Sequence, residues 1–293
     1  MTGFSLVLDT KSQLGECPLW SVAEQVLYFV DIKGRAINRF DPATYAITTF
    51  SLPEEVGCIG LAQNGGFVAG LRSGIWLLDS SGQPTQMLAE NPEDQATSRF
   101  NDGMVDPAGR FIAGTIDEAR KGTASLYRYS RASLETLAEN LMTSNGTAFS
   151  PDGKTFYHSD TPRFTVFAYG YDAKTGTLSD KRTFATLSPT ETDRGRPDGA
   201  AVDVEGGYWT ALFEGGRVQR YSPEGRLLAE YPVPAKCPTM PAFGGPDLKT
   251  LYLTTARSGR SEEELAQFPH SGSLFAMQVE VPGLTKPLFD LNA

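Results

Sequence analysis

A chain of 293 residues with formal charge −9, 40% hydrophobic and 21% charged, has the composition of an ordinary globular protein. No apolar run approaches the roughly 20 residues of a membrane span, and the acidic balance argues against nucleic acid or an anionic membrane surface as partner. Three cysteines without metal-like spacing, Cys17, Cys58 and Cys237, read as free thiols of a reducing cytoplasm, and the start of the chain carries Asp9 but no basic n-region of a secretory signal.

The first expected element is a short strand over residues 4–8. Beyond it, one turn-and-strand unit recurs six times, at residues 21–29, 63–69, 106–113, 150–157, 204–210 and 245–252. A second strand-and-turn motif follows each copy, at residues 37–42, 75–82, 126–129, 166–172, 218–225 and 274–277. The copies lie roughly 40 to 55 residues apart, the period of propeller blades built from four short strands. Aromatic and β-branched residues suit the strands, and Asp-Pro or Pro-Asp-Gly punctuation suits the hairpins. Helical periodicity is almost absent. Its best case is residues 261–268, where Ser261 caps a short segment with three glutamates in its first turn, expected as a surface insertion of the last blade.

The fold class that follows is all-β, a six-bladed β-propeller with a central channel metal site, formed by residues 1–293 as one domain. Pairing of the first strand with the last blade would close the ring, since an open propeller leaves exposed strand edges. In a propeller the first strand of each blade lines the channel, which puts residues 101–105 and 145–149 on inner strands. Eight places upstream of each turn stand Glu16, Gly57, Asn101, Asn145, Asp198 and Met240. Four of these six carry a side-chain oxygen, so they would converge at one mouth of the channel. Two carboxylates and two amides suit a hard divalent cation such as Ca²⁺, Mg²⁺ or Mn²⁺. Each residue alone reads better as a turn or hydrogen-bonding device; their shared register is what points to a site.

Gly15-Glu16-Cys17-Pro18-Leu19-Trp20, Arg99-Phe100-Asn101-Asp102-Gly103, Ser144-Asn145-Gly146 and Arg196-Pro197-Asp198-Gly199 resemble, in order, the four signatures of the gluconolactonase and regucalcin (senescence marker protein 30) family. The resemblance runs essentially end to end. It implies a divalent metal ion, which could be Ca, Mn, Mg, Zn or Fe, held by Glu16, Asn145 and Asp198, and it implies hydrolysis of a sugar lactone. It also implies that Arg99 and Asn101 contact sugar hydroxyls, with Asp102 nearby and Glu118 as an acidic substrate contact. Ala119 stands where some members of the family have glutamate.

Asp198 is the first candidate for general base and Asp102 the second. Other chemistries have less support. His158 sits in a repeat strand and is expected to be structural, no Gly-x-Ser-x-Gly elbow occurs, and Cys17 is expected to be a small buried residue. The expected partner is a small-molecule sugar lactone, an aldonolactone of five or six carbons, and the expected form is a monomer. Two rival readings keep the fold: a regucalcin-like calcium-binding regulator, and an esterase resembling the phosphotriesterase and paraoxonase propellers. Arg99 suits a polyhydroxylated ligand and is awkward in an apolar ester pocket.

Overall fold

The computed structural model describes residues 3–293. Its strands form six antiparallel sheets of four, arranged as a six-bladed propeller. The inner strands are Gly15–Ser21, Val56–Leu61, Ser98–Val105, Ser144–Phe149, Arg196–Val202 and Pro238–Gly244. Apart from Leu61 and Arg196, every one of their residues is buried. These strands meet neighbouring blades on both faces, so continuous apolar and small residues replace the alternation of a half-exposed strand. The fourth strands, such as Ala46–Ser51 and Ser133–Leu141, are largely exposed. The sequence repeats map directly onto this scheme. The first motif forms the second strand of each blade, for example Val26–Asp31 and Thr155–Asp160, and the second motif forms the third, for example Ala36–Asp41 and Thr165–Asp172.

Ring closure is as expected. Ser5–Leu8 pairs antiparallel with Leu274–Gln278, Ser5 facing Ala276 and Leu6 facing Phe275, so the sixth sheet combines both ends of the chain. The short helix is Glu262–Gln267, and the Ser261 hydroxyl accepts from the Glu264 N–H at 3.2 Å.

Two features escaped the sequence reading. The first is a register skip in all six inner pairs: between Glu16 and Leu19, Val56 and Cys58, Phe100 and Gly103, Asn145 and Ala148, Pro197 and Ala200, and Pro238 and Pro241. Extra residues there bend each inner strand and re-aim its side chains. The second is a C-terminal strap across the face where the hairpin turns lie. Val279 N–H donates to Lys249 O, Val204 N–H to Pro282 O, Phe289 N–H to Leu61 O and Asp290 N–H to Gly109 O, at 2.7–3.0 Å. The strap thus ties blades six, five, two and three together below the channel.

Candidate functional site

At the opposite face, the mouth of the channel holds a cavity of about 320 Å³. Glu16, Asn101, Asn145 and Asp198 line it, together with Arg99 and Glu118. The four ring residues with oxygen donors therefore do converge. The two ring positions without donors have packing reasons. A Cβ on Gly57 would lie 2.2 Å from the Phe100 carbonyl oxygen, so glycine is what lets blade three approach blade two. Met240 is 3% exposed and packs so closely on Gly199 that a Cβ there would lie 2.4 Å from its own. It packs against the strand one residue beyond Asp198.

A directed chain of hydrogen bonds fixes the amides. Arg99 Nη1 donates to Asn101 Oδ1 at 2.8 Å and to Phe100 O at 3.0 Å. Asn101 Nδ2 donates to Asn145 Oδ1 and to Ser144 O, both at 3.0 Å. Asn145 Nδ2 donates to Thr161 Oγ1, whose hydroxyl donates to Pro197 O, both at 2.8 Å. The chain runs from blade three through blade four to blade five and leaves Asn145 Oδ1 with one further lone pair. Asn101 is spent on both ends, which makes it the bracket that orients Asn145.

The carboxylates are under electrostatic load. Burial and then the charges of Asp198 and Asp102 hold the Glu16 carboxyl well above the usual range. Asp198 is raised in the same way, first by burial and then by Asp102. Asp102 itself does not line the cavity. It lies buried beneath, where Oδ2 accepts from Thr147 N at 2.8 Å and Thr147 Oγ1 at 3.1 Å while Oδ1 has no partner. Burial pushes it up to about 6, partly offset by these bonds and by Lys286 on the strap. Three buried carboxylates so close together destabilise one another's charged forms, and a positive charge beside them would relieve that. Among the described residues no three His, Cys, Asp or Glu side chains form a metal cage; the ring instead offers two carboxylates and an amide oxygen. That donor set fits a hard divalent cation completed by water or substrate.

Glu118 reaches the cavity tied to Arg72 at 3.1 Å and Lys33 at 3.6 Å. Arg99, 3% exposed, has its Nε 3.8 Å from Glu55 and 4.0 Å from Glu118. His158 is fully buried with Nε2 2.8 Å from Ser144 Oγ, and burial lowers it to about 3. That is a structural role. The Cys17 thiol is buried beside Ile59 O and pushed up to about 12, so it is inert at neutral pH. All three cysteines are free and buried.

Thr161, Glu55, Arg196 and Arg120 belong to the site but were not singled out from the sequence. A signal existed for two of them. Two places upstream of the ring stand Leu14, Glu55, Arg99, Thr143, Arg196 and Pro238, a second ring nearer the mouth. Thr161 opens a short 3-10 helix and Arg120 lies on a turn; both are outside the repeat and carry no such mark.

Residues 14–257 match the family model described as SMP-30/Gluconolactonase/LRE-like region. The chain belongs to this family. A 6-deoxy-6-sulfogluconolactonase from Pseudomonas putida is 50% identical over 97% of both chains, and regucalcin from Xenopus laevis is 36% identical over 92% of both. Among solved structures, a calcium-binding regucalcin from Agrobacterium tumefaciens superposes with a TM-score of 0.92 at 29% identity, covering 98% of this chain and 97% of the other. Family membership agrees with the resemblance read from the four motifs.

Proposed function

We propose that this protein hydrolyses a sugar lactone to its aldonic acid, with one divalent cation held by Glu16, Asn145 and Asp198. The observation that carries the reading is the floor of the cavity, where two buried, mutually destabilised carboxylates sit beside an amide oxygen whose orientation the Asn101–Thr161 chain fixes. A cation held there would act as a Lewis acid on the lactone carbonyl and stabilise the oxyanion, a contribution of several kcal/mol.

The chain's own residues do the rest. Asp198 opens into the cavity and accepts a proton from the water that attacks the carbonyl carbon, as general base. Asp102, the other candidate, has one oxygen committed to Thr147 and does not line the cavity, which favours Asp198. Arg99 lines the cavity with Nη1 held by Phe100 O and Asn101 Oδ1, so its guanidinium is placed to contact a sugar hydroxyl and orient the ring. Glu118 offers an acceptor at the rim. The relatives' names support an aldonolactone, and the relative at 50% identity supports a gluconolactone skeleton with a sulfonate at C6 in its own case.

The test is a panel of pentono- and hexonolactones assayed by proton release, with wild type and Asp198→Asn. Hydrolysis by wild type with at least a hundredfold loss in the variant supports the reading; equal rates refute Asp198 as base. A second reading, a calcium-binding regulator without turnover, is favoured by the regucalcin names of several relatives. Asp198→Ala and Asn145→Ala separate the two, because a pure binding protein would lose cation affinity and have no turnover to lose.

A further inference from the structure

The floor of the cavity is acidic, but its rim is not. Asp117 lines the rim with its carboxylate spent on the N–H groups of Ala119, Lys121 and Thr123. Glu118 is spent on Arg72 and Lys33. Glu214 serves three guanidiniums at once: Arg196 at 2.9 Å, Arg260 at 2.9 Å and Arg194 at 4.0 Å. Asp117 is ionised but its oxygens are taken up by backbone N–H groups, while Glu118 and Glu214 each lie within ion-pair distance of more than one cation. Besides Arg99, the guanidiniums of Arg120 and Arg196 line the cavity.

Arg196 stands one pleat above Asp198 on the same inner strand, its guanidinium carbon 5.1 Å from the Phe213 ring centroid. The ring helps to hold the guanidinium plane. Its Nε is buried and has no acceptor. Arg120 comes from blade three, on a turn held by Arg120 N–H donating to Asp117 O at 3.0 Å. Among the described residues no carboxylate lies within 4 Å of its guanidinium. Blades three and five flank blade four, which supplies Asn145. The two arginines thus line the cavity from the blades on either side of the one that supplies Asn145.

We propose that these two arginines form an anion subsite: the lactone carries a tetrahedral oxyanion substituent, a sulfonate or phosphate, at the end remote from its carbonyl, and Arg120 and Arg196 bind it. This rests on the lactonase reading and adds to it the charge of the substrate and the residues that select it. Guanidiniums suit such a group because their planar donor forks match its oxygens.

The experiment compares kcat/KM for glucono-1,5-lactone, its 6-deoxy-6-sulfonate and its 6-phosphate in wild type, Arg196→Gln and Arg120→Gln. The expected result is at least a tenfold preference for one anionic lactone in wild type, and which one identifies the anion. That preference should fall at least fivefold in each variant and should shrink as salt rises from 20 to 500 mM. Arg120 is exposed, so its variant tests the subsite without disturbing the inner strand. Comparable turnover of neutral and anionic lactones overturns the subsite and leaves the lactonase intact. Parallel loss on all three substrates in the variants also overturns it, since that marks a merely structural role. Turnover of none of them overturns the lactonase reading and this one with it.

Discussion

Asp102→Asn should make the cation-free protein more stable at neutral pH, although it removes a residue of the buried acidic group. In the fold Asp102 is pushed up to about 6, against a usual value of about 3.9. The folded state then binds more protons than the unfolded chain between those values, so stability falls as pH rises through the window. Above it, ionised Asp102 costs about 3 kcal/mol. The groups that face it are Glu16 and Asp198 above, Cys17 beside it and Lys286 from the strap, and only Lys286 offsets the charge. Asparagine keeps an oxygen for the Thr147 N–H and hydroxyl and places an amide where Oδ1 now has no partner. Urea unfolding in excess chelator is the assay. Wild type and variant should be nearly equal at pH 4, and the variant should be ahead by up to about 3 kcal/mol at pH 7.5. A variant that is less stable at pH 7.5, or whose advantage does not change with pH, would refute the electrostatic account of the buried acidic group.

Three further outcomes follow from the same geometry. Gly57→Ala places a Cβ 2.2 Å from the Phe100 carbonyl, and the forced backbone shift should cost about 3 kcal/mol, read as a lower urea midpoint with activity per folded molecule also reduced. Thr161→Val removes the acceptor of Asn145 Nδ2 and the donor to Pro197 O; kcat/KM should fall about tenfold while unfolding shifts by only about 1–3 kcal/mol. His158 is held neutral, lowered to about 3 by burial with a smaller push from Lys181. The unfolded chain binds its proton first, so stability is lost as pH falls below the unfolded value, by about 2 kcal/mol between pH 6.5 and 5. His158→Gln should flatten that part of the pH profile, and an unchanged slope would contradict it.

The blades were legible because a propeller repeats one hydrophobic pattern per sheet. The turn motif fixed the second strand of each blade, and counting back from it reached the inner strand even where glycine or proline obscures the strand pattern, as at Val56-Gly57-Cys58 and Arg196-Pro197-Asp198. The ring of oxygen donors was readable for the same reason. Three-dimensional arrangements without a repeat were not. The strap beneath the channel is held by backbone hydrogen bonds to four blades, and nothing in residues 279–293 announces which turns they cross. The separation of Asp198 from Asp102 is also invisible in the motifs, since it depends on how the bulge between Phe100 and Gly103 turns the Asp102 side chain toward Thr147. Gly57 and Met240 looked like gaps in the donor set, and the structure shows Gly57 making room for Phe100 and Met240 packing on Gly199.

The central claim is a lactone hydrolase whose buried carboxylates hold a divalent cation. It is tested most directly by stripping the protein with chelator and following lactone opening by proton release, before and after adding back Ca²⁺, Mn²⁺, Mg²⁺ or Zn²⁺. The account predicts that the stripped protein adds little to the spontaneous rate and that at least one cation restores turnover, with Asp198→Asn failing to recover. Full activity in the completely stripped protein would contradict it.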